Sequence, residues 1–183
     1  VVCGMPWEDK VMITPLPEEG KCQWLSELLE DAQQKGARVV NQGGGETYGN
    51  LFSPALVFPV QREMELYQVE QFGPLIPVTP FSRIEELFDY LSYTDYGQQA
   101  SIFTSSAAYA APLINVLVNQ VCRININAQC RRSPDELPFT GRKDSAEGTL
   151  SVSDALRSFS ILSLVVANEQ GRDVFLSGLR EIT

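Results

Sequence analysis

Histidine does not occur in this sequence. Its absence removes the side chain that titrates nearest neutral pH, so every His-dependent triad is excluded within the chain. Cysteine is sparse: Cys3, Cys22, Cys122 and Cys130 are too scattered for a zinc pattern, and metal chemistry is excluded with them. These thiols read as reduced cysteines of a cytosolic protein. Cys122, at the start of an apolar strand, reads as a buried, inert thiol. Basic residues are also few, 14 against 23 acidic for a net charge of −9, and that balance excludes nucleic acid as a partner. No apolar run approaches the length of a membrane span, and no basic region followed by an apolar stretch opens the chain. A cytoplasmic protein with no membrane partner is expected.

What is present is an ordinary globular mixture, 44% apolar and 20% charged over 183 residues, enough for one domain. A chain of this size buries roughly 70% of the surface its unfolded form exposes. Gly20 and Gly36 bracket Trp24, Leu25, Leu28, Leu29 and Ala32 at helical spacing, which predicts an amphipathic helix over 21–35. Short apolar strands are expected at 37–40, 54–60, 75–79, 99–104 and 121–127. Helices are expected after Ser82, where Glu85 and Glu86 suggest a capping box, over 105–120, and over 151–160. Gly43-Gly44-Gly45 lacks the lysine and helix of a phosphate loop and reads as a turn. The alternation predicts an α/β fold: a mostly parallel, twisted sheet flanked by helices. A last apolar run, 161–167, reads as a late strand available for oligomer contacts, followed by a tail.

Two segments carry chemistry. In Glu70-Gln71-Phe72-Gly73-Pro74-Leu75-Ile76-Pro77 a carboxylate precedes an aromatic by two positions. On an extended chain both would share a face, where the carboxylate accepts hydrogen bonds from vicinal ribose hydroxyls and the ring touches the attached base. The same residues also fit a loop glutamate beside a core phenylalanine. The second segment runs from Arg123-Ile124-Asn125-Ile126-Asn127 through Arg131-Arg132-Ser133-Pro134-Asp135-Glu136-Leu137-Pro138-Phe139-Thr140-Gly141-Arg142-Lys143-Asp144-Ser145 to Gly148. It gathers positive charge in an acidic chain, although several of these side chains are expected to be merely solvated. Asn127 and Asp135 are expected to shape the loop through backbone hydrogen bonds, and Phe139 to pack it down.

Together the two segments resemble the C-terminal half of an aldehyde dehydrogenase catalytic domain, in which an E-x-F-G-P segment is followed by an I-N strand and a P-F-x-G-x-K-x-S-x-x-G loop. The wording of the second segment is most similar to the NADP-dependent, non-phosphorylating glyceraldehyde-3-phosphate dehydrogenases within that family. The resemblance implies that residues 1–160 are the C-terminal part of a catalytic domain and 161–183 an oligomerisation strand and tail. It implies NADP as cofactor, with Glu70 on the nicotinamide-side ribose and Phe72 against the nicotinamide. It implies a phosphorylated aldehyde as substrate, with Arg132 on the phosphate and Arg131 as a weaker candidate. Gln71 stands where proline is common, which removes a fixed φ.

The family's nucleophile lies in a G-Q-x-C type segment, and none occurs here. Cys3, in Val1-Val2-Cys3-Gly4-Met5-Pro6, falls where the family has a structural stretch. No catalytic residue is therefore assigned within this chain. The resemblance implies that the nucleophile and general base lie N-terminal of Val1, in a missing half of the same protein, and that the intact enzyme is a homo-oligomer, dimer or tetramer. Two other outcomes stay open: a dehydrogenase for another aldehyde, and a non-catalytic binding or assembly module.

Overall fold

A computed structural model describes residues 1–164, 166, 168, 169 and 171. The chain divides into two units, the first covering Val1–Thr94 and the second starting at Asp95.

The first unit contains helix α1 (Lys21–Gln34), strands β1 (Arg38–Val39), β2 (Thr47–Tyr48), β3 (Leu51–Phe52) and β4 (Ala55–Phe58), a single 3-10 turn (Glu65–Tyr67), strand β5 (Leu75–Pro77) and helix α2 (Ile84–Tyr93). The glycines set the limits of α1. Gly36, at φ +101°, donates to Gln33 O, and the next amide, Ala37, reaches back to Ala32 O at 2.9 Å. That double closure needs a left-handed residue just past the helix, which glycine adopts without a Cβ penalty.

The stripe Leu25, Leu28, Leu29 and Ala32 is buried against Phe52, Ala55, Val57, Val60, Met64, Leu66 and Leu75. Each of the larger side chains contributes roughly 1.5–3 kcal/mol by leaving water. β4 sits between its neighbours, antiparallel to β1 and parallel to β5 with Ala55, Leu56 and Val57 opposite Leu75, Ile76 and Pro77.

Helix α2 departs from its expected start. Arg83, not Ser82, occupies the N-cap and no side chain caps it. Only half of the box forms, as the Ser82 amide donates to Glu86 Oε2 at 3.3 Å. Its apolar residues Ile84, Leu87, Phe88 and Leu91 are half-buried.

The second unit contains strands β6 (Tyr96–Gly97) and β7 (Gln99–Ile102), helix α3 (Ala107–Leu117), strands β8 (Arg123–Ile126), β9 (Phe139–Thr140), β10 (Arg142–Lys143) and β11 (Thr149–Leu150), and helix α4 (Val152–Ser158). β7 and β8 pair in parallel from Gln99 opposite Arg123 to Ile102 opposite Ile126, with α3 as the crossover between them. The parallel pairs β4–β5 and β7–β8 are the longest ladders, as the helix and strand alternation requires. Three two-residue antiparallel ladders, β2–β3, β6–β10 and β9–β11, were not anticipated.

One local expectation is corrected. Cys122 is exposed, not buried, because burial alternates along the strand entry and Val121 takes the inward position. In the last apolar run, Ile161, Leu162, Ser163 and Leu164 form no regular element and are exposed, while Val165 and Ala167 lie outside the described residues. Most of the tail beyond Asn168 lies outside them too.

Candidate functional site

The Glu70 loop is built on α1. Asp31 Oδ2 accepts from the Glu65 amide at 2.9 Å, which fixes the start of the 3-10 turn, and the Val69 amide returns to Glu65 O at 3.1 Å. Gly73 lies directly over Leu25: a Cβ at this position would come within 2.7 Å of a Leu25 methyl carbon. Pro74 O then accepts from the Ala55 amide, and the chain enters β5.

Squeezed between these anchors, Phe72 adopts φ +39°, a left-handed conformation that costs a non-glycine residue energy. The expectation of an extended Glu70-to-Phe72 segment is therefore corrected, and alternation along a strand does not orient these side chains. The loop nevertheless delivers both to solvent. Phe72 is 75% exposed, and the exposed Glu70 carboxylate has no hydrogen-bond or ion-pair partner among the described residues. A core phenylalanine is thus excluded. Gln71 replaces the stiffness of a proline with a side-chain bond, Nε2 to Leu75 O at 2.6 Å.

The arginine-rich loop in the second unit follows β8. Asn127, at φ +49°, closes its entry by accepting from the Thr104 amide (2.9 Å) and donating to Thr104 O (3.0 Å), so its partner is distant in sequence rather than local. Arg132 is exposed, with its guanidinium carbon 5.3 Å from the Phe139 ring centroid. This cation–π placement holds the stem while leaving donors outward. Around it lies a concavity of about 490 Å³ lined by Arg132, Asp135, Leu137, Phe139, Ser151 and Val152. Ser151 caps α4 there, accepting from the Asp154 amide at 3.0 Å.

Arg131 is engaged differently. With the Gln129 amide turned so that its oxygen faces the guanidinium, it accepts from Arg131 Nε at 3.0 Å and Nη2 at 3.2 Å. Arg142 donates to Val121 O at 3.2 Å. Arg123 donates to the carbonyls of Arg131 (2.9 Å) and Ser133 (3.1 Å). Arg123, Arg131 and Arg142 thus each bond within the chain, and Arg131, Arg132, Arg142 and Lys143 are all exposed.

Sequence reasoning overlooked Gln99 and Asn125. Asn125 is 7% exposed, accepting from Arg123 Nε at 3.0 Å and donating to Ala100 O at 3.2 Å and Gln99 Oε1 at 3.3 Å. The available signal was polar residues in two strands that pair in parallel, where burial demands a partner for every polar atom.

The model of the aldehyde dehydrogenase family matches residues 1–165. An NADP-dependent glyceraldehyde-3-phosphate dehydrogenase from Streptococcus equinus is 34% identical over 163 residues, 89% of this chain and 33% of the relative. A benzaldehyde dehydrogenase [NAD(+)] from Pseudomonas putida is 32% identical over 148 residues, 81% of this chain and 30% of the relative. Among solved structures, the NADP-dependent glyceraldehyde-3-phosphate dehydrogenase from Bacillus halodurans C-125 complexed with NADP superposes with a TM-score of 0.79 at 33% identity, covering 88% of this chain and 33% of that one. The chain spans about a third of the length of the curated relatives it matches. With the family model matching nearly the whole described chain, this chain belongs to the aldehyde dehydrogenase family.

Proposed function

We propose that this chain is the C-terminal portion of an NADP-dependent, non-phosphorylating glyceraldehyde-3-phosphate dehydrogenase, which oxidises D-glyceraldehyde 3-phosphate to 3-phosphoglycerate. The observation that carries the substrate assignment is Arg132, held over Phe139 at the edge of the concavity with no hydrogen-bond or ion-pair partner among the described residues. A planar guanidinium gives two parallel charge-assisted bonds to a phosphate. Arg131, already bonded to Gln129, is the weaker ligand.

The cofactor side fits as well. A solvent-facing carboxylate without a partner among the described residues suits the two hydroxyls of a ribose, and a ring held out of the core suits a flat pyridine face. Glu70 would accept from the nicotinamide ribose and Phe72 would hold the nicotinamide in position. NADP, when bound, supplies the hydride acceptor. The thiolate nucleophile and general base would come from elsewhere in the intact enzyme, so this chain alone is expected to be inactive. The assembly is proposed to be a cytoplasmic homo-oligomer with contacts through the 161–167 run.

In the intact enzyme, Arg132→Ala is expected to raise KM for glyceraldehyde 3-phosphate by roughly tenfold to a hundredfold, the worth of a charge-assisted hydrogen bond or two. KM for an unphosphorylated short aldehyde should stay within about twofold. Equal effects on the two aldehydes would remove Arg132 from the phosphate site. The similarity to a benzaldehyde dehydrogenase favours a second reading, a dehydrogenase for an unphosphorylated aldehyde. A panel of aldehydes assayed on the same preparation separates the two.

A further inference from the structure

Resting on the phosphate role of Arg132, we infer that Arg123 is its positioning residue: the Arg123 guanidinium clamps the main chain on both sides of Arg132 and so sets where that charge is delivered. The bonds themselves are specific. Arg123 Nη1 donates to Arg131 O at 2.9 Å and to Ser133 O at 3.1 Å, the two carbonyls that flank Arg132. Gln99 holds the first of these peptides from the neighbouring strand: Nε2 donates to Arg131 O at 3.0 Å and Oε1 accepts from Arg131 N at 3.2 Å. That pairing reproduces a strand ladder with a side chain in place of a backbone.

The clamp is rooted in the parallel pair. Gln99 and Arg123 are in register across β7 and β8, and Arg123 and Asn125 share a face of β8. Asn125, buried, accepts from Arg123 Nε and donates to Gln99 Oε1, which fixes both side chains. Between Asn127 and Phe139 the chain forms no strand or helix, so side-chain bonds must set its path. Arginine is required because a lysine has no second nitrogen to engage Asn125 while reaching the carbonyls.

The test is a kinetic cycle in the intact enzyme with Arg123→Met, Arg132→Ala and the double variant, together with hydrogen exchange over residues 128–138. Arg123→Met should raise KM for glyceraldehyde 3-phosphate roughly tenfold with little change in kcat or in KM for an unphosphorylated aldehyde. It should add nothing in the Arg132→Ala background and should speed exchange across the loop. Arg123→Lys should fail to restore KM. Gln99→Met should act in the same direction, which keeps the test available if Arg123→Met does not fold. An Arg123 effect that persists in the Arg132→Ala background, or that falls equally on both aldehydes, would overturn the inference. If Arg132→Ala itself shows no preference between aldehydes, the substrate reading fails instead, and the exchange data decide the clamp alone: an unchanged rate over 128–138 overturns it.

Discussion

Asp31 shows how much one side chain contributes to placing the loop that carries Glu70 and Phe72. One carboxylate oxygen accepts from the Glu65 amide while the other pairs with Lys35 Nζ at 2.5 Å, and Lys35 also reaches Glu63 O at 2.7 Å. The Lys35 bond first, and the Glu65 amide second, hold the Asp31 carboxyl below its ordinary value of 3.8. A group whose folded value is depressed stabilises the fold above its unfolded value, and that contribution disappears as pH falls through the folded value. Asp31→Ala should therefore cost about 1 kcal/mol near neutrality, with the gap to the parent narrowing below pH 3.8. Thermal unfolding followed from pH 7 to pH 2 checks this; a gap that persists undiminished at the acid end would mean packing rather than charge is responsible. None of this was legible beforehand, because Asp31 and Glu65 are brought together only by the packing of α1. Glu70, Phe72 and Arg132 could be singled out as candidates because motif wording survives without knowledge of φ, whereas the left-handed turn at Phe72 has no local signature.

At the scale of elements, α1 and the parallel strands were readable from the sequence, since Leu25, Leu28, Leu29 and Ala32 repeat at helical spacing and short apolar runs bounded by turn residues mark strands. The two-residue ladders were not, because a pair such as Thr149 and Leu150 offers too few residues for any pattern. The start of α2 was misplaced by one residue because a serine with a glutamate downstream fits a cap at more than one register. The loop between the 3-10 turn and β5 has one close approach. In Gly73→Ala the new methyl meets Leu25, a fully buried residue, at 2.7 Å and 2.9 Å. Overpacking of this kind costs about 1–3 kcal/mol. Gly148→Ala, with nothing within 4 Å of the added carbon, should stay within about 0.5 kcal/mol of the parent. Comparable losses in both variants by chemical denaturation would show that Gly73 is not a packing constraint on the loop.

The molecule as a whole carries a net charge of −9, so copies of it repel one another at low ionic strength. Against that repulsion it exposes a run of apolar side chains after α4: Phe159, Ile161, Leu162, Leu164 and Val166, with Ile161 at 96% exposure. Contiguous apolar surface of this kind is rare on a lone soluble chain and is ordinarily covered by a partner. If the run pairs as a strand with a second copy, its backbone donors and acceptors can join the two chains. If the run joins copies of this protein, apolar burial must outweigh charge repulsion, and added salt should then strengthen association by screening the like charges. Leu162→Asp with Leu164→Asp places two carboxylates on one face of such a strand. Light scattering should show the parent above the 20.3 kDa of a single chain, increasingly so with salt, and the double variant at that mass throughout. A variant that assembles as the parent does would place the contact elsewhere, and association weakened by salt would mean that opposite charges, not this apolar run, hold the copies together.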